Sequence, residues 1–247
     1  MADEEGYQLS EQAVRRTAKA VALILGKNQR QRDDRAPFRD SGPVNWQPFV
    51  NDSSETIPAN AIVRISGTTF DPLMDATSGG ACIAVVYHAV KPDTTLGRYA
   101  INSSLQVAAG ESGLLRFEGP CEQAFDSGTV TIGSGYGPKP SQWTLSKGYP
   151  STTIADGITN SETKRLFGSF NQLTTVIGKA GSDISAKSGE SPGSGTVNAW
   201  YNSAGTFADS TMTFTGYNFS ASAITASKYT AFNLVNGIWV AVFESCT

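Results

Sequence analysis

Between Ser10 and Leu25, apolar residues recur at Val14, Ala18, Val21 and Leu25, at spacings of four, three and four. That is the narrow stripe of a helix that packs along one seam. Ser10 suits the N-cap, where its hydroxyl accepts from an unpaired first-turn amide. Glu11 places negative charge at the positive end of the helix dipole. Gly26 stands where a left-handed C-cap is expected. About four turns of helix, at ~3.6 residues per turn, are marginal alone in water. The helix must therefore pack, either on a β domain of its own chain or on another protein or copy.

After Trp46 the helical period disappears and short apolar runs bounded by Gly, Pro, Asn and Ser take over. The stretch around Ile57, Ile62, Val63 and Ile65 predicts a turn followed by a strand. GACIAVVYHAV (80–90) is β-branched and aromatic enough for a buried strand. Leu105–Ala108, Gly113–Phe117 and Gly128–Ile132 are further strand candidates. Residues 133–150, GSGYGPKPSQWTLSKGYP, are dense in turn residues. Later come a hairpin turning at 202–205, a strand over 211–218, and Tyr229–Asn233 joined to Ile238–Phe243 through Asn236-Gly237, a strong hairpin signal. Strands at ~8–12-residue spacing predict sandwiches or barrels.

The fold class expected is mainly β: two small β-sandwich or barrel domains preceded by one N-terminal α-helix and a linker. The divisions expected are helix and linker over 1–45, a first β domain over 46–158, a connector over 159–187 and a C-terminal β domain over 188–247. The last unit is small for independent stability, so it should lean on the first domain or on other copies.

Composition fits such a chain: 39% hydrophobic and only 17% charged, with abundant Gly. The net charge of -3 gives no whole-chain nucleic-acid footprint. Charge is unevenly placed. Arg15–Arg39 carries eight basic residues against Asp33 and Asp34, whereas 40–247 carries eleven basic and sixteen acidic residues. Cys82, Cys121 and Cys246 are an odd, sparse set, read as free thiols in a reducing compartment. No signal peptide is expected from the acidic N-terminus, and no stretch approaches the ~20 apolar residues of a membrane span. Asn51-Asp-Ser, Asn102-Ser-Ser and Asn218-Phe-Ser match the glycosylation sequon, which carries little weight without secretion.

No catalytic signature in the sequence is complete. His88 is the single histidine and sits in an apolar strand, which excludes multi-histidine metal sites. Gly189-Glu-Ser-Pro-Gly fits the nucleophile-elbow spacing, but Pro192 has no amide to donate to an oxyanion. Gly133-Ser-Gly-Tyr-Gly is followed by Pro138 and Pro140 where a phosphate-binding helix should begin. Asp71 with Asp75, and Glu118 with Glu122, lack calcium-loop spacing. The expectation is no enzyme, no cofactor and no metal. Tyr136, Trp143, Tyr149, Trp200 and Tyr201 are the aromatics that would stack on sugars or pack in a core.

Two stretches resemble tailed-bacteriophage minor virion structural proteins. The first is NDSSETIPANAIVRISG with VAAGESGLLRFEGP and GSGYGPKPSQWTLSKGYP, whose opening and glycine turn are also similar to small capsid-decoration proteins. The second, GSGTVNAWYNSAGTF through TFTGYN to NLVNGIWVAVFESC, resembles the C-terminal β module of the same group. The resemblance implies a non-enzymatic virion component assembled in the host cytoplasm. It would be a fibre or spike of capsid or tail, anchored by Val14, Ala18, Val21 and Leu25. Its expected partners are itself, as a homotrimer, and capsid, portal or tail proteins, with a host-surface glycan as a further candidate and no membrane or nucleic acid. The alternatives are a capsid-decoration or head–tail junction protein, and a carbohydrate-binding or receptor-binding module.

Overall fold

A computed structural model describes residues 46–71, 84–126, 129–161, 164–203 and 206–244. Within them the chain is strands and loops without a helix, so its mainly β character agrees with the short apolar runs and turn signals of the sequence. The seam Val14, Ala18, Val21 and Leu25, the linker, Cys82 and Cys246 lie outside the described residues.

The strands of the described residues make three sheets. β1 (Gln47–Asn51), β2 (Ile62–Asp71), β3 (Ala84–Val90), β4 (Tyr99–Asn102) and β5 (Ser112–Arg116) close a first barrel in the order β1-β3-β2-β4-β5. β6 (Gly119–Ala124), β7 (Gly135–Pro138), β8 (Leu145–Ser146), β9 (Thr153–Asn160) and β10 (Arg165–Phe170) form an open middle sheet, β6-β10-β9-β7-β8. β11 (Thr175–Ala180), β12 (Gly193–Ser203), β13 (Thr206–Asn218), β14 (Tyr229–Val235) and β15 (Ile238–Glu244) close a second barrel, β11-β12-β13-β15-β14.

Several local expectations are corrected. Residues 159–187, read as a connector, contain β10 and β11, and β11 is the stave between β12 and β14 that closes the second barrel. Its inward positions are Val176, Gly178 and Ala180, kept small because a Cβ on Gly178 would lie 2.3 Å from Val197 Cγ1 and 3.2 Å from Phe214. Small inward residues give little hydrophobic signal, which hides the strand in the sequence. Thr129–Ile132 is loop and turn rather than strand, with Ile132 exposed; the strand begins at Gly135, inside the zone read as turns. Leu105–Ala108 contributes a single bridge, Val107 to Ile57. The expected turn at Asn236-Gly237 is present, with φ of 50° and 84° there and Val235 opposite Ile238.

The two barrels share one plan, with the chain entering it at different points. β1–β3 is parallel, as is β13–β15. The antiparallel pairs β1–β5, β2–β3, β2–β4 and β4–β5 reappear as β13–β12, β14–β15, β14–β11 and β11–β12. Registers coincide as well. Val63 faces Ala100 as Thr230 faces Gly178, and Phe49 faces Gly113 as Gly216 faces Gly195. The barrels are thus circular permutants of each other. Their interiors are packed differently. Phe49 fills the first barrel, whereas the equivalent Gly216 leaves room for Phe232, whose ring would meet a Cβ there at 2.6 Å.

The first barrel has its own interior around Phe49, Ile57, Val63 and Leu115. Its outer wall, Ile62, Tyr99 and Ile101, belongs to a second core that runs through Leu145, Leu166 and Phe170 of the middle sheet into Met212, Phe214 and Phe232 of the second barrel. Thr94–Leu96 also adds to β13 in parallel: the Leu96 amide donates to Thr213 O at 2.8 Å and the Thr213 amide to Thr94 O at 2.7 Å.

Candidate interaction surfaces

The sequon-like asparagines are structural. Asn51 is buried, and its amide donates to Glu55 O at 2.8 Å and Val107 O at 2.9 Å. Its carbonyl accepts from the Ser53 amide at 2.9 Å and hydroxyl at 2.7 Å. Asn218 repeats the set: donors to Ser222 O at 2.8 Å and Ser185 O at 3.0 Å, and an acceptor for the Ser220 amide at 3.0 Å. In each case the strand end is tied to the loop it crosses, and a buried isoleucine follows, Ile57 bridging Val107 and Ile224 bridging Ile184. Asn102 is a partial version, donating to Pro58 O and Leu105 O. All three side chains are buried, so none is open to a glycosylating enzyme in the folded protein. The pattern N-x-S-x-x-x-I-x-A, present at 51–59 and 218–226, is the signal in the sequence that reveals the repeated barrel.

His88 does not stand alone. Its Nδ1 lies 2.8 Å from Asp52 Oδ2 and its Nε2 lies 3.0 Å from Thr69 Oγ1, on the outside of the first barrel. A carboxylate orienting an imidazole toward a hydroxyl is the order of parts in a hydrolytic triad. A triad also needs an enclosed reacting carbonyl and oxyanion donors. A cleft lies at the junction of the barrels.

That cleft measures about 480 Å³ and is lined by Leu96, Arg98, Gln172, Tyr217, Ile238 and Trp239, among others. Gln172 is committed to structure: its amide donates to Tyr99 O at 2.7 Å and Phe117 O at 2.8 Å. Arg98 stacks on Phe117, with its guanidinium carbon 4.1 Å from the ring centroid. The Tyr99 phenol is pushed well above its ordinary range by burial. Leu234, Val235 and Ile238 are exposed around this hairpin, so the cleft opens onto apolar surface.

The five aromatics do not converge. Tyr136 is buried, and its hydroxyl accepts from the Thr131 amide at 3.1 Å. Tyr149 packs on the shared core. Trp143 packs on the first barrel under Lys91, whose ammonium sits 5.2 Å from the ring and is paired with Glu55 at 2.6 Å. That hydrogen bond from Lys91 holds the Glu55 carboxyl below its usual range. Trp200 and Tyr201 are half-buried on the second barrel. Lys179 Nζ lies 4.5 Å from the Trp200 ring and 4.1 Å from Tyr229, with Phe207 beside Tyr229. Tyr201 touches the loop at Gly148.

The remaining candidates resolve as local structure. Ser188 and Ser191 exchange amide–carbonyl bonds of 2.9 and 3.1 Å, so Gly189-Glu190 is a tight turn and not a strand-to-helix elbow. Glu118 is exposed, while Glu122 accepts from Asn60 at 3.2 Å. Asp75 lies outside the described residues, and among those described no group of three His, Cys, Asp or Glu is placed to hold a metal.

Exposed apolar side chains gather on sheet faces: Ile154, Ile158 and Phe167 on the middle sheet, and Phe207, Leu234, Val235, Ile238 and Val242 on the second barrel. No protein family, curated protein or solved structure matches the chain.

Proposed function

We propose that this chain is a non-enzymatic structural protein of a tailed-phage virion. It would project as a fibre or spike of capsid or tail, assembled as a homotrimer in the host cytoplasm and attached through the N-terminal seam Val14, Ala18, Val21 and Leu25. The observation that carries the reading is where the apolar surface lies. Ile154 and Phe167 are 45% and 38% exposed on the open face of the middle sheet. Contiguous apolar surface on a β face suits a protein partner, whereas a small-molecule site gathers its apolar groups in a cavity. A capsid-decoration or head–tail junction role uses the same surfaces and is the alternative within the class. The glycan-binding reading has less support, because Tyr136, Trp143 and Tyr149 are used in packing and Lys179 lies against Trp200.

The test is proteomics and cryo-electron microscopy of purified virions of the phage that encodes the chain, with light scattering of the isolated protein. The expected result is a virion-borne oligomer. A monomer absent from particles and retained on a glycan array would overturn the proposal.

A further inference from the structure

The shared barrel plan allows the same face to be compared twice. By register, Ile62 and Ile101 of the first barrel correspond to Tyr229 and Lys179 of the second, and Tyr99 to Ile177. All six point away from their barrel interiors. On the first barrel this face is sealed: Ile62, Tyr99 and Ile101 are at most 1% exposed beneath Leu145, Leu166 and Phe170 of the middle sheet. On the second barrel Ile177, Lys179 and Tyr229 are only half-buried, next to the half-buried Trp200 and the exposed Phe207. The Trp200 indole N–H is buried and has no hydrogen-bond partner among the described residues.

The middle sheet is a single layer whose inner face does the sealing. Its outer face carries Ile154 and Phe167, with Phe167 opposite Gly157 on one side and Glu122 on the other. Glu122 and Asp156 are exposed beside these apolar groups. One chain therefore presents an apolar sheet face edged by carboxylates and an aromatic barrel face centred on a lysine.

We infer that in the assembled protein the outer face of one copy's middle sheet covers the Lys179–Trp200–Tyr229–Phe207 face of a second copy. This repeats between copies the sheet-on-barrel contact that each chain makes internally. The inference rests on the self-assembly in the proposed function and names its two surfaces. Glu122 and Asp156 come to the side of Lys179, so the apolar contact has complementary charge at its rim. Because the two faces differ, the contact is heterologous and each copy uses both; three copies related by a closing rotation make a ring.

The test uses full-length protein with Phe167→Asp in one preparation and Phe207→Asp in another, measured by light scattering and thermal unfolding. Both positions are exposed, so each variant should keep the wild-type melting temperature and fall from oligomer to single-chain mass. An equimolar mixture should then recover a dimer and nothing larger, since each pair retains one intact sheet face and one intact barrel face. If a variant melts early, Ile154→Lys and Lys179→Glu replace it; Lys179→Glu should be rescued by Glu122→Lys with Asp156→Lys. A wild type that is itself a single chain would overturn both this inference and the self-assembly reading. A wild-type oligomer that neither substitution weakens, or variants that do not pair on mixing, would overturn the assignment of these faces alone.

Discussion

Replacing Asn51 or Asn218 tests whether the two barrels are held by the same device. Asn51 makes four hydrogen bonds of 2.7–2.9 Å from a side chain 1% exposed. Alanine removes all of them. Val107 O still accepts from the Ile57 amide and Glu55 O from the Ser53 hydroxyl, so the main loss is net bonding plus the stranded Ser53 amide. At about 1 kcal/mol net per bond, and with Ser53 half-exposed and able to recover water, Asn51→Ala should cost about 2–4 kcal/mol. Asn218→Ala loses three analogous bonds and should cost about 2–3 kcal/mol. Aspartate should be worse than alanine at either site. It would aim a carboxylate oxygen at two carbonyl oxygens that the amide now donates to, in a site closed to water. Urea unfolding followed by tryptophan fluorescence supplies the measurement, with Trp200 and Trp239 in the second barrel and Trp46 and Trp143 outside it. Losses below ~0.5 kcal/mol for both alanine variants, in the range of an ordinary surface change, would refute the latch. Aspartate tolerated as well as alanine would refute the donor geometry.

Further substitutions probe the packing and the junction. Phe49→Ala should lose about 3–5 kcal/mol by opening a cavity in the first barrel, read from the same urea curves. Gly178→Ala should cost about 1–3 kcal/mol, because its methyl would meet Val197 and Phe214 in the second barrel's interior. Burial raises the Tyr99 phenol above its ordinary 10.0. Its contribution is therefore complete below pH 10 and shrinks as pH rises toward the folded value, by up to about 1.4 kcal/mol per pH unit. Tyr99→Phe should flatten that alkaline limb in melting-temperature profiles, and an unchanged slope would show that the phenol titrates freely.

Short-range physics made much of this protein readable from its residues alone. Short β-branched and apolar runs mark β2 and β15, and Asn236-Gly237 marks the β14–β15 hairpin, because strand propensity and left-handed turn positions are set by neighbours a few residues apart. The Gly189-Glu-Ser-Pro-Gly punctuation is likewise local, a tight turn closed between Ser188 and Ser191. The barrels themselves were decided by distant pairings. β11 is recognisable only once β12 and β14 close around it, for its inward side is Val176, Gly178 and Ala180, small to make room for Phe214. Asn51 and Asn218 looked like modification motifs because a sequon and a buried crossing share the spelling N-x-S; only the carbonyls of Val107 and Ser185, brought in by loops distant in sequence, distinguish the two. His88 likewise acquired Asp52 and Thr69 through β1–β3 and β2–β3 registers that no local window contains. Local sequence sets which face of a strand is apolar. Which strand it lies beside depends on closing the whole barrel, where loop entropy and shared burial are settled across the full chain.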